Sequence, residues 1–191
     1  MYVYRPQIIT YGLNTRYLDD YVVRHQQKSL WCWAACVEML FKYYNVMIKQ
    51  EDVVRQTLGL SPGSDIPNVS MEIKRFFEQV KNLPFHYRES KYWLVLDYKE
   101  GAPRPQKLVS EIGRGRPVLI VYQSGRAMCH AVLITAVSFY IEQNTVNITQ
   151  LIVRDPSKEL AVVKGRVVYS AIELAQFIKA YSFVEIRGRK I

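Results

Sequence analysis

A chain of 191 residues that is 49% apolar and 13% aromatic can bury a substantial core, and its length suits a single domain over residues 1–191 rather than a disordered segment. Three cysteines, an odd count, exclude a pure disulfide framework, and no apolar run reaches the length of a membrane-spanning helix. The net charge of +9 favours acidic partners or membrane surfaces, but the basic residues are scattered, with small clusters only at Arg114/Arg116 and Arg187/Arg189/Lys190; no RNA-binding aromatic signature, zinc-finger spacing or helix-turn-helix pattern marks a dedicated nucleic-acid site.

Residues 1–28 mix polar and aromatic side chains and read as loops and short extended pieces. They lack the charged and apolar regions of a cleavable secretory signal, so a cytoplasmic protein, or one exported as an effector without such a signal, is expected. From Cys32 to Tyr44 the composition is helical, and around that helix only Glu38 and Lys42 are charged, at the favourable i,i+4 spacing. One narrow strip should therefore face water while the rest is buried, and Asn45 should stop the helix. A short helix over Gln50–Leu58 ends at Gly59, a turn-rich loop covers Ser61 to Pro67, and Val69, Ile73, Phe76, Phe77 and Val80 recur at helical spacing. A third helix over 70–80 follows, capped by Asn68 or Ser70. Strands are predicted at Phe85–Tyr87 and Tyr92–Leu96, then a helix over Gln106–Ile112 closed by Gly113. Pro117–Gln123, His130–Tyr140 and Thr145–Arg154, rich in Val, Ile, Leu and Thr, read as strong strands. A last helix, Ala171–Ala180 behind Ser170, precedes a terminal strand at Ser182–Arg187. Helices first and strands later argue an α+β domain with an antiparallel sheet.

Cys32 stands in the first turn of the buried helix, where the dipole and unpaired N–H groups favour a thiolate. Taken alone, that position suits a nucleophile and a small core residue equally. A nucleophile needs a base, and the chain has three histidines. His25 precedes the helix without an evident orienting partner, and His86 sits in a polar strand. His130 opens a highly apolar strand. If that strand turns back near Glu142–Asn144, antiparallel pairing sets His130 opposite residues 155–157, which brings Asp155 to it. Asp155 also begins an Asp-Pro-Ser turn, and the two roles are compatible. Nδ1 of His130 is expected to face the carboxylate.

Cys32-Trp33-Ala34 resembles the Cys-Trp-Ala of papain-like cysteine peptidases, Gln26 stands six residues before the cysteine, and His130-Ala131-Val132 resembles their His-Ala-Val segment. Asp155 follows in the family's order, in place of its usual asparagine, and Leu30-Trp31 replace the usual Gly-Ser before the cysteine. Gly115-Arg116-Pro117-Val118 and Val153-Arg154-Asp155-Pro156 are similar to compact bacterial branches, including peptidase-C39-like domains and proteases injected by pathogens. The resemblance implies a papain-like fold, with a central buried helix packed on the sheet, and cleavage of a protein or peptide substrate without a cofactor. Cys32 would be the nucleophile, His130 its ion-pair partner and general acid, and Asp155 the orienter. The Cys32 backbone N–H and Gln26, chosen over Gln27 by the spacing, would hold the oxyanion. Trp33 is expected to anchor the core and Trp31 to line the cleft, with Cys36 and Cys129 buried.

Other outcomes of the same thiol chemistry are deamidation, transfer to amines and isopeptide cleavage; a non-catalytic binding module is a further alternative. Zinc held by Cys32, Cys36, Cys129 and His130 is the competing reading, weakened because adjacent residues of a strand face opposite ways.

Overall fold

The computed structural model describes residues 6–124 and 128–190; residues 1–5 of the N-terminal stretch lie outside them. The chain begins with a short strand, β1 (Ile9–Gly12), a single helical turn, α1 (Thr15–Tyr17), and a wide π-helical turn over Leu18–Val22. Three helices follow, α2 (Cys32–Tyr43), α3 (Gln50–Leu58) and α4 (Ile73–Asn82). Then come β2 (Phe85–Tyr87), β3 (Ser90–Glu100), α5 (Pro105–Gly113), β4 (Val118–Ser124), β5 (Met128–Glu142) and β6 (Thr145–Arg154). A short 3₁₀ turn at Lys158–Leu160, β7 (Arg166–Ser170), α6 (Ala171–Phe177) and β8 (Ile178–Lys190) complete it. The strands pair antiparallel in the order β2-β3-β8-β4-β5-β6-β7, with β1 added against β5.

The expected α+β class therefore holds, and two cores explain it. On one sheet face α2, α3 and α4 pack over Leu94, Leu96, Leu119, Val121, Leu133 and Val184. On the other, α5 and α6 cover Val118, Ile120, Val132, Ile134, Tyr181 and Phe183. Within α2, Ala34, Ala35, Cys36, Val37, Met39, Leu40 and Phe41 are wholly removed from water. The charged strip of α2 is not solvated as expected: Glu38 is buried too. Gln50 donates to Glu38 Oε2 at 2.9 Å, and Arg24 and Lys42 lie 3.7 and 3.9 Å from Oε1. Burial raises the Glu38 carboxyl, and Gln50 and the two cations pull it back toward the charged form.

Helix ends obey local chemistry with two exceptions. Asn45 and Gly59 take left-handed φ values of 62° and 65° just past α2 and α3, as their positions demand. The cap of α4 is Glu72, whose carboxylate accepts from Lys74 N and Arg75 N. Asn68 is instead drawn to Leu30 N and Ser29 Oγ. Gly113 lies inside α5 and does not close it; a Cβ there would come within 3.0 Å of the Tyr11 ring, and the left-handed residue is Gly115. The final helix ends three residues early because Ile178 and Ala180 are buried strand positions paired to β4, so β8 starts before Ser182.

Candidate active site

Cys32 is the first residue of α2, and no side chain caps that helix. Its first N–H groups are thus left to whatever enters the site, next to the positive end of the dipole. The half-buried thiol of Cys32 and the ring of His130 line the same cleft.

The sheet supplies the other side. The β5–β6 hairpin turns at Gln143–Asn144, both with positive φ, and pairs Glu142 with Thr145 through to Leu133 with Arg154. Beyond Arg154 the chain leaves the ladder, and Asp155 Oδ1 meets His130 Nε2 at 2.8 Å. The expected contact is present, but through the other ring nitrogen: Nε2, not Nδ1, faces the carboxylate, so Nδ1 is the nitrogen not engaged by Asp155. Ser157 N also donates to Asp155 Oδ1 at 2.8 Å, so the Asp-Pro-Ser turn and the contact to His130 coexist. Burial opposes the charged form of His130, yet the hydrogen bonds to Asp155 and Cys32 outweigh it and push its pKa up to about 9. Burial likewise opposes Asp155 ionisation, and His130 and the Ser157 N–H hold the carboxyl below its usual range.

Gln26 lies on the loop that joins the two sides. Its N–H donates to Pro156 O at 2.7 Å, while Gln50 takes a bond from Gln27 N at 3.0 Å and donates to His25 O at 3.0 Å. The Gln26 amide donates to Ser29 O at 2.7 Å, and its buried Oε1 has no hydrogen-bond partner among the described residues. A cleft of about 510 Å³ opens beside Cys32 and His130, floored by Trp33, Phe76 and Val121 and rimmed by Met71, Glu72 and Ile73.

A model of the Peptidase_C39 like family matches residues 19–186. The chain belongs to that family. It is a papain-like cysteine peptidase, acting on protein or peptide substrates. The fold is similar to the crystal structure of the peptidase domain of Streptococcus ComA, a bi-functional ABC transporter involved in a quorum-sensing pathway. The TM-score is 0.54 at 14% identity, covering 86% of this chain and 97% of that chain. No curated protein matches the chain. No helix among the described residues of this C39-like peptidase is long and apolar enough to cross a membrane.

Two expectations need correction, and the rival zinc reading finds no site. Trp31 does not line the cleft: it is 1% exposed, with Nε1 donating to Pro67 O at 3.0 Å, whereas Trp33, a buried core residue as expected, also lines the cleft. Both indoles lie under the 66–69 loop, Trp33 Nε1 donating to Val69 O at 3.3 Å, and of the two only Trp33 reaches the cleft wall. Cys129 is exposed, not buried, because β6 pairing stops at Leu133 and leaves the start of β5 uncovered on that side. Among the described residues no three His, Cys, Asp or Glu side chains gather as a metal site, so the four zinc candidates are not assembled into one.

Two contributors were not foreseen. Tyr122 is the cross-strand partner of His130, its ring edge-on to the imidazole at 5.7 Å and its hydroxyl 3.4 Å from that of Tyr169. Gly165, at φ 63°, accepts from Asp155 N at 2.7 Å, and any Cβ there would collide with the Asp155 carbonyl. The lone glycine after Lys164 was the available signal; Tyr122 had none without the register.

Proposed function

We propose that residues 1–191 form one peptidase domain hydrolysing peptide bonds through Cys32, His130 and Asp155. The observation that carries this is the imidazole of His130, bound at 2.8 Å to the Asp155 carboxylate and sharing the cleft with the Cys32 thiol. Cys32 attacks the scissile carbonyl as thiolate while His130, protonated at Nδ1, waits as the acid for the leaving amine. Asp155 accepts a hydrogen bond from Nε2–H, fixing the ring plane and favouring the imidazolium. The Cys32 N–H, at the uncapped helix end, is one oxyanion donor. The Gln26 N–H not used by Ser29 is the other, on a loop anchored to Pro156 and Gln50. The apolar floor of Trp33, Phe76 and Val121 suits an apolar substrate side chain next to the cleaved bond.

The test is the mass of the protein after a peptide-like thiol-reactive inhibitor, with the modified residue mapped. One adduct on Cys32, absent in His130→Ala, supports the reading. Turnover that survives Cys32→Ala sinks it.

A further inference from the structure

One face of the sheet, far from the cleft, carries charge that no described carboxylate answers. Phe85, Tyr92, Leu94, Leu96 and Ile186 turn toward the helices α2–α4. Their neighbours along each strand therefore point to the opposite face. Register sets these in rows across β2, β3 and β8: His86 beside Lys91 beside Arg189, then Trp93 beside Arg187, then Val95 beside Glu185. His86, Arg187 and Arg189 are exposed, and Lys91, Trp93 and Val95 are half-buried. Lys91 and Arg189 are direct cross-strand partners, an arrangement of like charges that costs stability. Neither they nor Arg187 form an ion pair with any carboxylate among the described residues, although this fold pairs many of its other cations. Arg116 is bound to Glu185 at 2.8 Å, so the one carboxylate of the Val95 row is already engaged from the end of α5.

We propose that this face, centred on Trp93 with Lys91, Arg187 and Arg189, docks on an anionic lipid bilayer. The pattern is a small apolar centre with long cationic side chains along one side, and the Glu185 carboxylate on the other side held by Arg116, on one plane of a sheet. An indole at the headgroup level with lysine and arginine around it is how peripheral proteins meet such a surface. A single-stranded nucleic acid stacks successive bases on several rings, and these rows offer one indole. A protein partner would need a larger apolar centre than Trp93 and Val95 supply. Arg187 and Arg189 lie nine and eleven residues along β8 from Ile178, which pairs with Tyr122 near the thiol. The face is therefore about 30 Å from the cleft. A docked enzyme keeps its cleft open and turned away from the membrane.

The experiment is co-sedimentation of the whole chain with phosphatidylcholine vesicles, with and without phosphatidylglycerol, at low and high salt. Binding should require the anionic lipid and weaken with salt, and the emission of Trp93 should shift to the blue. K91E/R187E/R189E should lower partitioning about 100-fold, from roughly fivefold per lost cation. Inhibitor labelling of Cys32 in that variant checks that it folds; if it does not, Lys91→Gln, expected to lose about fivefold, takes its place. Equal binding to neutral vesicles, binding untouched by the substitutions, or a single-stranded oligonucleotide that binds more tightly than the anionic vesicles each overturns the proposal.

Discussion

Cys32 reaches the cleft by local structure alone, as the first residue of an uncapped helix whose other positions are buried. His130 and Asp155, 25 positions apart, reach it through a hairpin, two ladder irregularities and a departure from the sheet after Arg154. The helical wall places its nucleophile by position along one helix, which the core around it then fixes. The sheet wall depends on register, because a slip by one residue would turn His130 to the other face. Damage should therefore be all-or-none on the helical wall and graded on the sheet wall.

The largest effect belongs to the thiol. Cys32→Ala should lower kcat/KM by about 10⁴-fold or more while the melting temperature stays near wild type, since one small residue replaces another. Alkylation separates the three thiols. Cys36, wholly buried and with its thiol pushed well above its ordinary range by burial, should stay unmodified, whereas exposed Cys129 should react alongside Cys32. In Cys129→Ser, activity should fall in step with a single adduct on Cys32. Loss of activity that tracks Cys36 would break the comparison at its root.

Next comes the carboxylate. Asp155→Ala should cost about 10²- to 10³-fold in kcat, and Asp155→Asn less, because the amide can still accept the Nε2 proton. The pH profile carries the sign. With the His130 pKa raised to about 9, the imidazolium persists to that pH and activity should fall as pH rises through it. Without the carboxylate that limb should move down toward the ordinary value near 6.5. The stability linkage has the same sign. The gain from charged His130 is fully present below about 6.5 and lost as pH rises through about 9, while the gain from depressed Asp155 is lost as acid protonates it. An unchanged basic limb in Asp155→Ala would detach Asp155 from the mechanism.

Gln26 belongs to the joint between the walls. As a donor to charge that develops only in the transition state, it should show in kcat and leave KM alone, with Gln26→Ala about 30- to 100-fold slower. If KM rises and kcat holds, the amide serves only to shape the loop through Ser29 O.

What was legible in the sequence divides along the same line. The three N-terminal helices, the strong strands and the turn at 142–144 follow from composition, period and end signals, and with them the antiparallel α+β class. The approach of His130 to Asp155 also followed, since hairpin arithmetic tolerates an error of a residue or two. What failed required atoms rather than pattern. Which imidazole nitrogen faces Asp155 is a matter of ring rotation. Trp31 and Trp33 have the same composition-level description; the 66–69 loop covers both, and only the turn of the helix start decides which also reaches the cleft. The strands β1 and β7 are short edge pieces whose pairing to β5 and β6 is set by their neighbours, not by their own residues.

The smallest effect tests how finely the sheet wall is set. Tyr122 touches neither the thiol nor the carboxylate; it stands beside His130 across the β4–β5 ladder, its ring edge-on to the imidazole. Burial raises the Tyr122 hydroxyl first of all, and the bond to Tyr169 raises it further, so it stays neutral and acts through its ring and one hydrogen bond. Tyr122→Phe keeps the ring and gives up only the link to Tyr169, so it should lose no more than about twofold in kcat, the cost of a weak, long hydrogen bond. Tyr122→Ala lets the imidazole turn and lets water reach the bond to Asp155. It should lose about tenfold in kcat with KM little changed, and its basic limb should move part of the way seen for Asp155→Ala. A mere packing role would lower the melting temperature and leave the pH profile in place. Rescue by phenylalanine together with a shifted limb in the alanine variant would identify Tyr122 as a positioning residue of the sheet wall, with no counterpart on the helical side.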